Sequence, residues 1–312
     1  MSPRGPSGPA PMADRVVAVV IGRNEGARLV ACLESVRGQV SRIVYVDSGS
    51  TDGSAASARR LGADVVALDP AHPFTAARAR NAGVDRLAEQ GLPDFVQFVD
   101  GDCTLAPGWI AAAAAVLEAD SGLAVVCGRR RERHPERSVF NRLIDREWDT
   151  PVGEARACGG DALMRTAALR QAGGFDPAVI AGEEPELCVR LRRAGWRIRR
   201  MDAEMTLHDA AMTRLPQWWA RARRAGYAFA LGAAMHGRPP ERHYVTELRR
   251  AVLWGAALPL LTLALAVLVS PWALALALAY PAQIARIARR DGAWAPAAFL
   301  VLAKVPEALG AA

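Results

Sequence analysis

Two aspartates, Asp100 and Asp102, flank a glycine in the stretch FVQFVDGDCTLAPGW, residues 95–109. An Asp-Gly step after an alternating apolar run is a common hairpin signal. A hairpin would need a second alternating strand directly after the turn, but TLAPGWIAAAAAV reads as a helix with Pro107 in its first turn. Carboxylates at alternate positions can instead offer oxygen ligands to Mg²⁺ or Mn²⁺. The segment alone leaves a structural Asp-Gly turn and a metal site both open.

A second pair of acids, Glu183 and Glu184, stands directly before Pro185, where the sequence predicts the start of a helix over 182–195. A carboxylate in this place can serve as the general base for an attacking hydroxyl. Alternatively, acids in the first turn of a helix have only a structural role, in which they stabilise the helix by interacting with its dipole. The spacing alone leaves both interpretations open.

The scaffold for these acids is predicted by the pattern of residues 16–128. Short apolar strands alternate with amphipathic helices, which predicts an α/β fold with a mostly parallel sheet and helices on both faces. The predicted strands cover 16–21, 42–46, 63–68, 95–99 and 123–128, and the predicted helices cover 25–39, 53–61, 76–90 and 107–119. Ligands bind beyond the carboxyl ends of such strands. Because polar clusters follow the first, second and fourth strands, we expect these clusters to converge on one edge of the sheet.

The later part of this region is less regular. The charge run RRRERHPER, 129–137, predicts a solvated loop or face. Residues 158–176 predict a glycine turn, a short helix and a second glycine turn, and 197–201 predict a short strand. A basic helix with paired tryptophans is expected over 216–235.

Charge and cysteine usage narrow the class of protein. The formal net charge of +7 suits nucleic acid, an anionic membrane surface or a phosphorylated substrate. Five scattered cysteines without a CxxC pair argue against a disulfide framework or a structural zinc site and fit a reducing compartment. Residues 1–14 are rich in Pro, Gly and Ser and lack the apolar core of a secretory signal, so they predict a disordered tail.

The C-terminal third predicts membrane helices. A helix over the whole of 251–285, where no residue is charged, would exceed the roughly 30 Å hydrocarbon core of a bilayer. Ser270-Pro271 predicts a break, which gives a hairpin over about 251–269 and 271–285. A weaker third segment is expected over about 293–310. The alternative is a buried helical hairpin inside a soluble domain.

Arginines flank both outer ends of this hairpin, and the positive-inside preference places them in the cytoplasm. We therefore predict a cytoplasmic catalytic domain over 15–235 and helices over 236–312 in the inner membrane. Arginines beside an apolar segment favour a membrane over nucleic acid as the partner.

The motifs together resemble the family 2 glycosyltransferases of the GT-A fold. They are GRNE at 22–25, VDSGSTDGS at 46–54, ARNAG at 79–83, VDGD at 99–102, GGDALMR at 159–165 and GEEPEL at 182–187. The resemblance covers about residues 16–210 and implies a Rossmann-like, mostly parallel sheet. It also implies inverting transfer from a UDP- or GDP-sugar to a saccharide or lipid-linked acceptor, with Mg²⁺ or Mn²⁺.

The resemblance implies roles for single residues. Asp102 and His208 would bind the metal, and Asp100 would contact the metal or the ribose. The donor would be bound by Asn24, Glu25, Asp47, Ser48 and Arg80, and the acceptor-side turn would consist of Gly159, Gly160 and Asp161. By register Glu184 is the base, and Glu183 remains an alternative. Structural alternatives are a helix cap for Asn24 and Glu25, an exposed helix position for Arg80 and a structural histidine at 208.

Competing functions remain at this level. A nucleotidyltransferase of similar fold would want a glycine-rich, basic phosphate loop after the first strand, which GRNEGAR matches poorly. A membrane protein that binds nucleotide-sugars without turnover is the non-enzymatic alternative. The stretch QWWAR at 217–221 lacks the Arg-Trp pair of the processive synthases, which favours transfer of single sugars.

Overall fold

The computed structural model describes residues 15–312, and the predicted disordered tail over 1–14 lies outside the described residues. The described chain divides into two compact units. The α/β unit contains residues up to 133 and 147–210, and the helical unit contains 134–146 and 211–312. The helix that begins after residue 214 therefore belongs to the helical unit. The sequence instead predicted that the catalytic domain would include this helix and end at residue 235.

The α/β unit is built on one mixed sheet. Its strands are β1 Val16–Gly22, β2 Arg42–Asp47, β3 Asp64–Ala67, β4 Phe95–Asp100, β5 Cys103–Leu105, β6 Leu123–Glu132, β7 Gly153–Glu154, β8 Ala162–Arg165 and β9 Arg197–His208. The spatial order is β3-β2-β1-β4-β8-β6-β9-β5, and β7 pairs with β9. Strands β3, β2, β1 and β4 are parallel, as are β6 and β9, while β8 runs antiparallel between β4 and β6.

The first four helices follow the alternation predicted over residues 16–128. In the first part of the chain they are α1 Ala27–Val36, α2 Ser54–Arg60, α3 Ala76–Gln90, α4 Trp109–Ala119, α5 Val139–Trp148, α6 Thr166–Gln171 and α7 Glu183–Arg193. In the C-terminal part they are α8 Leu215–His236, α9 Val245–Val252, α10 Leu258–Leu268, α11 Ala279–Asp291, α12 Trp294–Leu302 and α13 Lys304–Ala311.

The core of the α/β unit explains why its strands are continuous apolar runs. Residues 16–21 of β1 are buried along their whole length, because helices cover both faces of the sheet. Helix α3 lies close to β1 at Gly83, where an added Cβ would come within 2.4 Å of a Val19 methyl group. The fold class, an α/β sheet with mostly parallel strands, is as predicted from the sequence.

Two predictions about the DGD segment and the charge run were wrong in detail. A short strand, β5, follows Asp102 directly, where the sequence predicted no strand, and the helix predicted over 107–119 is found as α4. Strand β5 pairs with β9 and not with β4, so the DGD turn is still not a hairpin. Residues 129–132 continue β6 instead of forming a solvated loop, because Arg130 and Glu132 face buried or half-buried polar partners.

The predicted strand over 197–201 is also longer than expected and extends to His208 as β9. It is held by parallel pairing with the extended β6, through several register shifts. This extension brings the last residue of β9 opposite Cys103 of β5.

The helical unit differs from the predicted membrane hairpin. Helix α9, a π-helical turn over Leu253–Ala257 and helix α10 form one continuous helix over Val245–Leu268. Within residues 15–312 this is the one helix that is long and apolar enough to cross a membrane. The predicted second span is instead a 3₁₀ helix over Pro271–Leu278 followed by α11, whose last turns carry arginines.

Candidate active site

The DGD segment is tethered to the end of the neighbouring strand. Asp100 is the last residue of β4, and the Gly101 amide donates a 2.8 Å hydrogen bond to the Ile21 carbonyl of β1. A Cβ at position 101 would lie 3.1 Å from the same oxygen, so glycine allows this close approach. The two aspartates therefore leave the sheet at its carboxyl edge, and their side chains meet different partners.

Asp102 meets His208. The Asp102 Oδ2 lies 3.2 Å from the His208 Nε2, and the Asp209 amide donates to the Asp102 carbonyl at 3.0 Å. Although burial disfavours the imidazolium, the hydrogen bond with Asp102 raises the pKa of His208 to about 9. Burial also opposes ionisation of Asp102, yet the His208 contact lowers the pKa of that carboxyl.

The pair Asp102 and His208 fits a divalent cation by its donor chemistry. A carboxylate oxygen and a deprotonated imidazole nitrogen are ligands that Mn²⁺ accepts, so a bound ion would displace the proton that Asp102 and His208 share, and the carboxylate suits Mg²⁺ as well. The Cys103 thiol lies close to both side chains. Burial raises the pKa of the Cys103 thiol well above its ordinary value. Sulfur is also a softer ligand than Mg²⁺ or Mn²⁺ prefers, so Cys103 is a poor third ligand.

Asp100 instead faces Arg80 of α3. The Arg80 Nη2 donates to the Asp100 Oδ1 at 2.8 Å, and the Nη1 donates to the Glu183 Oε1 at 2.5 Å. Arg80 is 2% exposed, so it is not the exposed helix arginine of the structural alternative. A buried guanidinium is tolerated when it is paired on both sides. Arg80 thus links the end of β4 to the start of α7.

The glycine turn at 159–161 supports the same loop. The Asp161 Oδ1 accepts a hydrogen bond from the Asp100 amide at 2.8 Å, and the Oδ2 accepts one from Thr206 at 2.9 Å. A Cβ at Gly160 would lie 2.6 Å from the Asp100 Oδ2, so the close approach needs glycine. The predicted acceptor-side turn therefore also holds the backbone of the DGD segment.

Arg130 is a site residue that the sequence analysis missed. Its Nη2 lies 2.8 Å from the Asp161 Oδ2 and 3.8 Å from the Asp100 Oδ2, and its guanidinium covers the Trp148 ring at 5.3 Å. Burial raises the pKa of Asp100, while Arg80 and Arg130 oppose this effect. In the sequence Arg130 is one of three consecutive arginines, and nothing in that run distinguishes it from its neighbours.

The two candidate bases have different surroundings. Glu183 is bound to Arg80, as described above, whereas Glu184 is 5% exposed and faces two cysteines. The Glu184 Oε1 accepts hydrogen bonds from the Cys158 amide at 2.6 Å, the Cys158 thiol at 3.0 Å and the Cys188 thiol at 2.9 Å. The Glu184 Oε2 accepts no hydrogen bond from residues 15–312, and it is not a fully buried atom.

The cysteines around Glu184 are protonated donors. Burial raises the pKa of Cys188 to about 11 and that of Cys158 well above its ordinary value. The scattered cysteines gave no sign of this contact as a set. A signal was available for Cys188, which follows Glu184 by four residues and so shares its helix face.

The predicted donor residues after β1 and β2 interlock. The Asn24 Oδ1 accepts from the Thr51 amide at 2.7 Å, and the Ser50 hydroxyl accepts from the Asn24 amide at 2.9 Å. The N-cap of α1 is Gly26, so Asn24 is not its cap. The Ser48 amide donates to the Gly22 carbonyl at 3.0 Å. These contacts fix the loop after β1 against the loop after β2.

The acids of these two loops are also engaged. The buried Asp47 accepts hydrogen bonds from the Tyr45 hydroxyl at 3.0 Å and from the Ser50 amide at 2.9 Å. Glu25 lies 2.6 Å from Arg28, and burial raises the pKa of its carboxyl. The Asp47 oxygens keep lone pairs for a further donor, such as the N–H of a base.

Comparisons with known proteins show which family and fold this chain resembles. The family model described as Glycosyl transferase family 2 matches residues 17–169. The pre-mycofactocin glycosyltransferase of Mycobacterium tuberculosis (strain H37Rv) is 32% identical over 233 residues, which are 70% of this chain and 47% of that protein. The succinoglycan biosynthesis protein ExoA of Rhizobium meliloti is 27% identical over 213 residues, 63% of either chain. The chain thus spans about half to two thirds of the length of these curated relatives.

Solved structures share the fold. The mannosyltransferase PcManGT from Pyrobaculum calidifontis, in complex with GDP-Man and Mn²⁺, superimposes with a TM-score of 0.61 at 21% identity, covering 98% of this chain and 91% of that one. Residues 1–349 of TarS from S. aureus give a TM-score of 0.52 at 16% identity, covering 95% and 89%.

The sheet and its likeness to these solved structures define the fold as GT-A. The family match and the sequence relatives go one step further. The chain belongs to the family 2 glycosyltransferases.

Proposed function

We propose that this chain transfers a sugar from a nucleotide-sugar donor to an acceptor hydroxyl, with inversion and with the help of a divalent cation. The observation that carries the proposal is the pairing of Asp102 with His208 at the edge where β1, β2 and β4 end. The relatives support it, since PcManGT was solved with GDP-Man and Mn²⁺.

Asp102 and His208 are the residues that would hold Mg²⁺ or Mn²⁺. Such an ion offsets the negative charge that develops on a leaving diphosphate. Asp100 has a different role, because Arg80 occupies its Oδ1. We assign Asp100 and Arg80 to the donor side, where the ion pair fixes the DGD segment.

The nucleoside would lie over the interlocked loops after β1 and β2. Asp47 is placed to accept the N–H of a base, and Asn24, Glu25 and Ser48 stand on the same two loops. Ligands of parallel sheets bind beyond the carboxyl ends of the strands, and these loops form that edge. The donor is therefore a UDP- or GDP-sugar.

Glu184 is the better base of the two acids. Its Oε1 is held by three donors, which leaves the Oε2 to take the proton of an attacking hydroxyl. Glu183 is engaged by a buried arginine, and this contact favours its unreactive, ion-paired state. A single displacement, in which the acceptor oxygen attacks as the nucleotide leaves, inverts the anomeric centre.

The helical unit supports attachment to a membrane. The helix over Val245–Leu268 is long and apolar enough to span a bilayer. Only 11% of its most apolar 18-residue stretch is buried, so most of this surface is exposed. Arginines at its N-terminal end, Arg249 and Arg250, suit the cytoplasmic side. We therefore propose action at the cytoplasmic face of the inner membrane, on a saccharide or lipid-linked acceptor.

The test uses the purified full chain with a panel of UDP- and GDP-sugars and Mn²⁺. Transfer releases a nucleoside diphosphate, whereas a nucleotidyltransferase would release or consume inorganic pyrophosphate, so the product distinguishes the two functions. We expect Glu184→Gln to lower kcat by about 10²- to 10⁴-fold, the usual contribution of a general base.

Glu183→Gln is the matched control, since it changes the neighbouring acid in the same helical turn. We expect a smaller loss of kcat in this variant. If Glu183→Gln abolished turnover and Glu184→Gln preserved it, the two roles would be exchanged. If no donor gave a nucleoside diphosphate, the proposed function would be wrong.

A further inference from the structure

A basic cavity lies within the helical unit, near the N-terminal end of the long apolar helix over Val245–Leu268. Its volume is about 340 Å³. It is lined by Arg250, Trp254, Gln283, Arg286, Ile287, Arg290, Leu300, Val301 and Lys304. Four of these residues are cationic and none is acidic. Such a lining selects an anion with at least one apolar side.

The charges of the cavity are only partly neutralised. Arg290 is paired with Asp291 at 2.6 Å, and Lys304 is paired with Glu307 at 2.6 Å. Arg286 donates to the neutral Gln283 at 3.0 Å and, like Arg250, has no acidic partner among residues 15–312. Two guanidinium groups therefore remain for an anionic ligand. Guanidinium groups bind phosphate oxygens in pairs, with better geometry than ammonium groups.

The cavity also lies where a bilayer would place headgroups. Arg250 is the last cation before the uncharged part of the Val245–Leu268 helix, and Trp254 follows it by one turn. Tryptophan and arginine together are typical of the membrane–water interface. Past this level the helix exposes large apolar side chains such as Leu253, Leu260 and Leu261. An anion bound by the arginines would thus have an apolar surface beside it.

We propose that this cavity binds the phosphate headgroup of a lipid, with the lipid tails lying along the exposed apolar face of the helix. The ligand class is a phosphate monoester or diphosphate on an apolar chain. The proposal rests on the membrane attachment proposed above and does not depend on sugar transfer. It assigns the cavity a ligand distinct from the donor at the sheet edge.

The experiment titrates the detergent-solubilised full chain with dihexanoyl phosphatidic acid and follows the midpoint of thermal unfolding. Inorganic phosphate tests the headgroup alone, and dihexanoyl phosphatidylcholine tests tails without a free phosphate monoester. We expect only phosphatidic acid to raise the midpoint at low concentration. Equal stabilisation by inorganic phosphate would overturn the lipid in favour of a free anion, and equal stabilisation by phosphatidylcholine would overturn the phosphate recognition.

A pair of double variants locates the site. Arg250→Ala with Arg286→Ala should weaken binding of phosphatidic acid at least tenfold. The control, Arg249→Ala with Arg289→Ala, removes the same charge from α9 and α11 at positions that do not line the cavity. We expect the control to bind within twofold of the unaltered chain, and equal losses in both double variants would overturn the site.

A separate experiment, extraction of membranes with alkaline carbonate, tests the membrane attachment itself. If the attachment proposal is wrong, carbonate releases the unaltered chain from membranes, whatever the titration shows. A chain that resists carbonate but binds phosphatidic acid equally with and without the two cavity arginines would contradict this inference alone.

Discussion

The two units of this protein place charged and apolar side chains in opposite ways. In the α/β unit Arg80 and Asp161 are buried, and each lies against an opposite charge. In the helical unit large apolar residues such as Leu260 and Val267 are exposed. Buried charges are stable only when they are paired, and an exposed apolar face needs another apolar phase or partner. The comparison indicates a polar site in one unit and, in the other, an apolar surface that agrees with the membrane attachment proposed above.

The largest expected effect concerns the proposed metal pair. Asp102→Ala removes the carboxylate beside His208. We expect turnover with Mn²⁺ to fall by about 10³-fold, because metal stabilisation of a leaving group contributes several kcal/mol. The measurement is release of nucleoside diphosphate by the purified chain. Full turnover in this variant, with an unchanged Mn²⁺ dependence, would exclude Asp102 as a ligand.

The next effect concerns stability of the buried charge network. Asp161→Ala leaves Arg130 with only the more distant Asp100, 3.8 Å away. We expect a loss of about 3–5 kcal/mol in the free energy of unfolding, as for other broken buried pairs. The control is Asp64→Ala, which breaks the more exposed pair with Arg86 and should cost about 0–1 kcal/mol. Denaturant unfolding of both variants compares them, and equal losses would mean that burial of the network is unimportant.

The third effect tests the apolar surface. Leu260 is 66% exposed, so Leu260→Arg should leave the unfolding midpoint in detergent nearly unchanged. In a bilayer an arginine near the centre of a spanning helix costs about 2.5–3.5 kcal/mol, and we expect a reduced carbonate-resistant membrane fraction. Leu215→Arg, at a 53% exposed leucine at the start of α8, is the control. Identical membrane fractions for both variants would argue against insertion of the long helix.

The smallest effect concerns the thiols that hold Glu184. Cys188→Ala removes one hydrogen bond to the carboxylate, and we expect kcat to fall about tenfold, since such bonds contribute about 1.5 kcal/mol. Cys188→Ser keeps a donor and should restore most of kcat. Cys127→Ala, which empties a similar buried position whose thiol faces the Arg199 carbonyl, should change stability but not kcat. If both alanine variants lost kcat equally, Cys188 would contribute to activity only by packing and not by its hydrogen bond to Glu184.

Much of the fold could be predicted because local signals were strong. Helix α3 has the predicted bounds over 76–90, and the strands β1, β2 and β4 lie within one residue of their predicted ends. Continuous β-branched runs and clear turn residues specify such elements locally. The predictions failed where tertiary pairing decided, as in β5 and the extended β6 and β9.

The helical unit shows the same limit. Charge-free composition predicted two spans, but composition does not determine where a helix is interrupted. Ser270 and Pro271 do end the first helix, as predicted, while the following residues form a 3₁₀ helix that no periodic signal indicated. The two arms still contact each other, as between Trp254 and Tyr280, but within residues 15–312 only the first is a helix long and apolar enough to span a membrane.

The sequence by itself determined the alternation of strands and helices up to β4, the family resemblance and the acids at the strand ends, because burial patterns and turn residues are local properties. Only the tertiary structure gave Asp100 and Asp102 different partners, since Arg80 and His208 come from distant parts of the chain. It also separated Glu183 from Glu184, which are adjacent in sequence but point to an arginine and to two thiols. Side-chain direction depends on which elements pack together, and packing is decided by the whole fold.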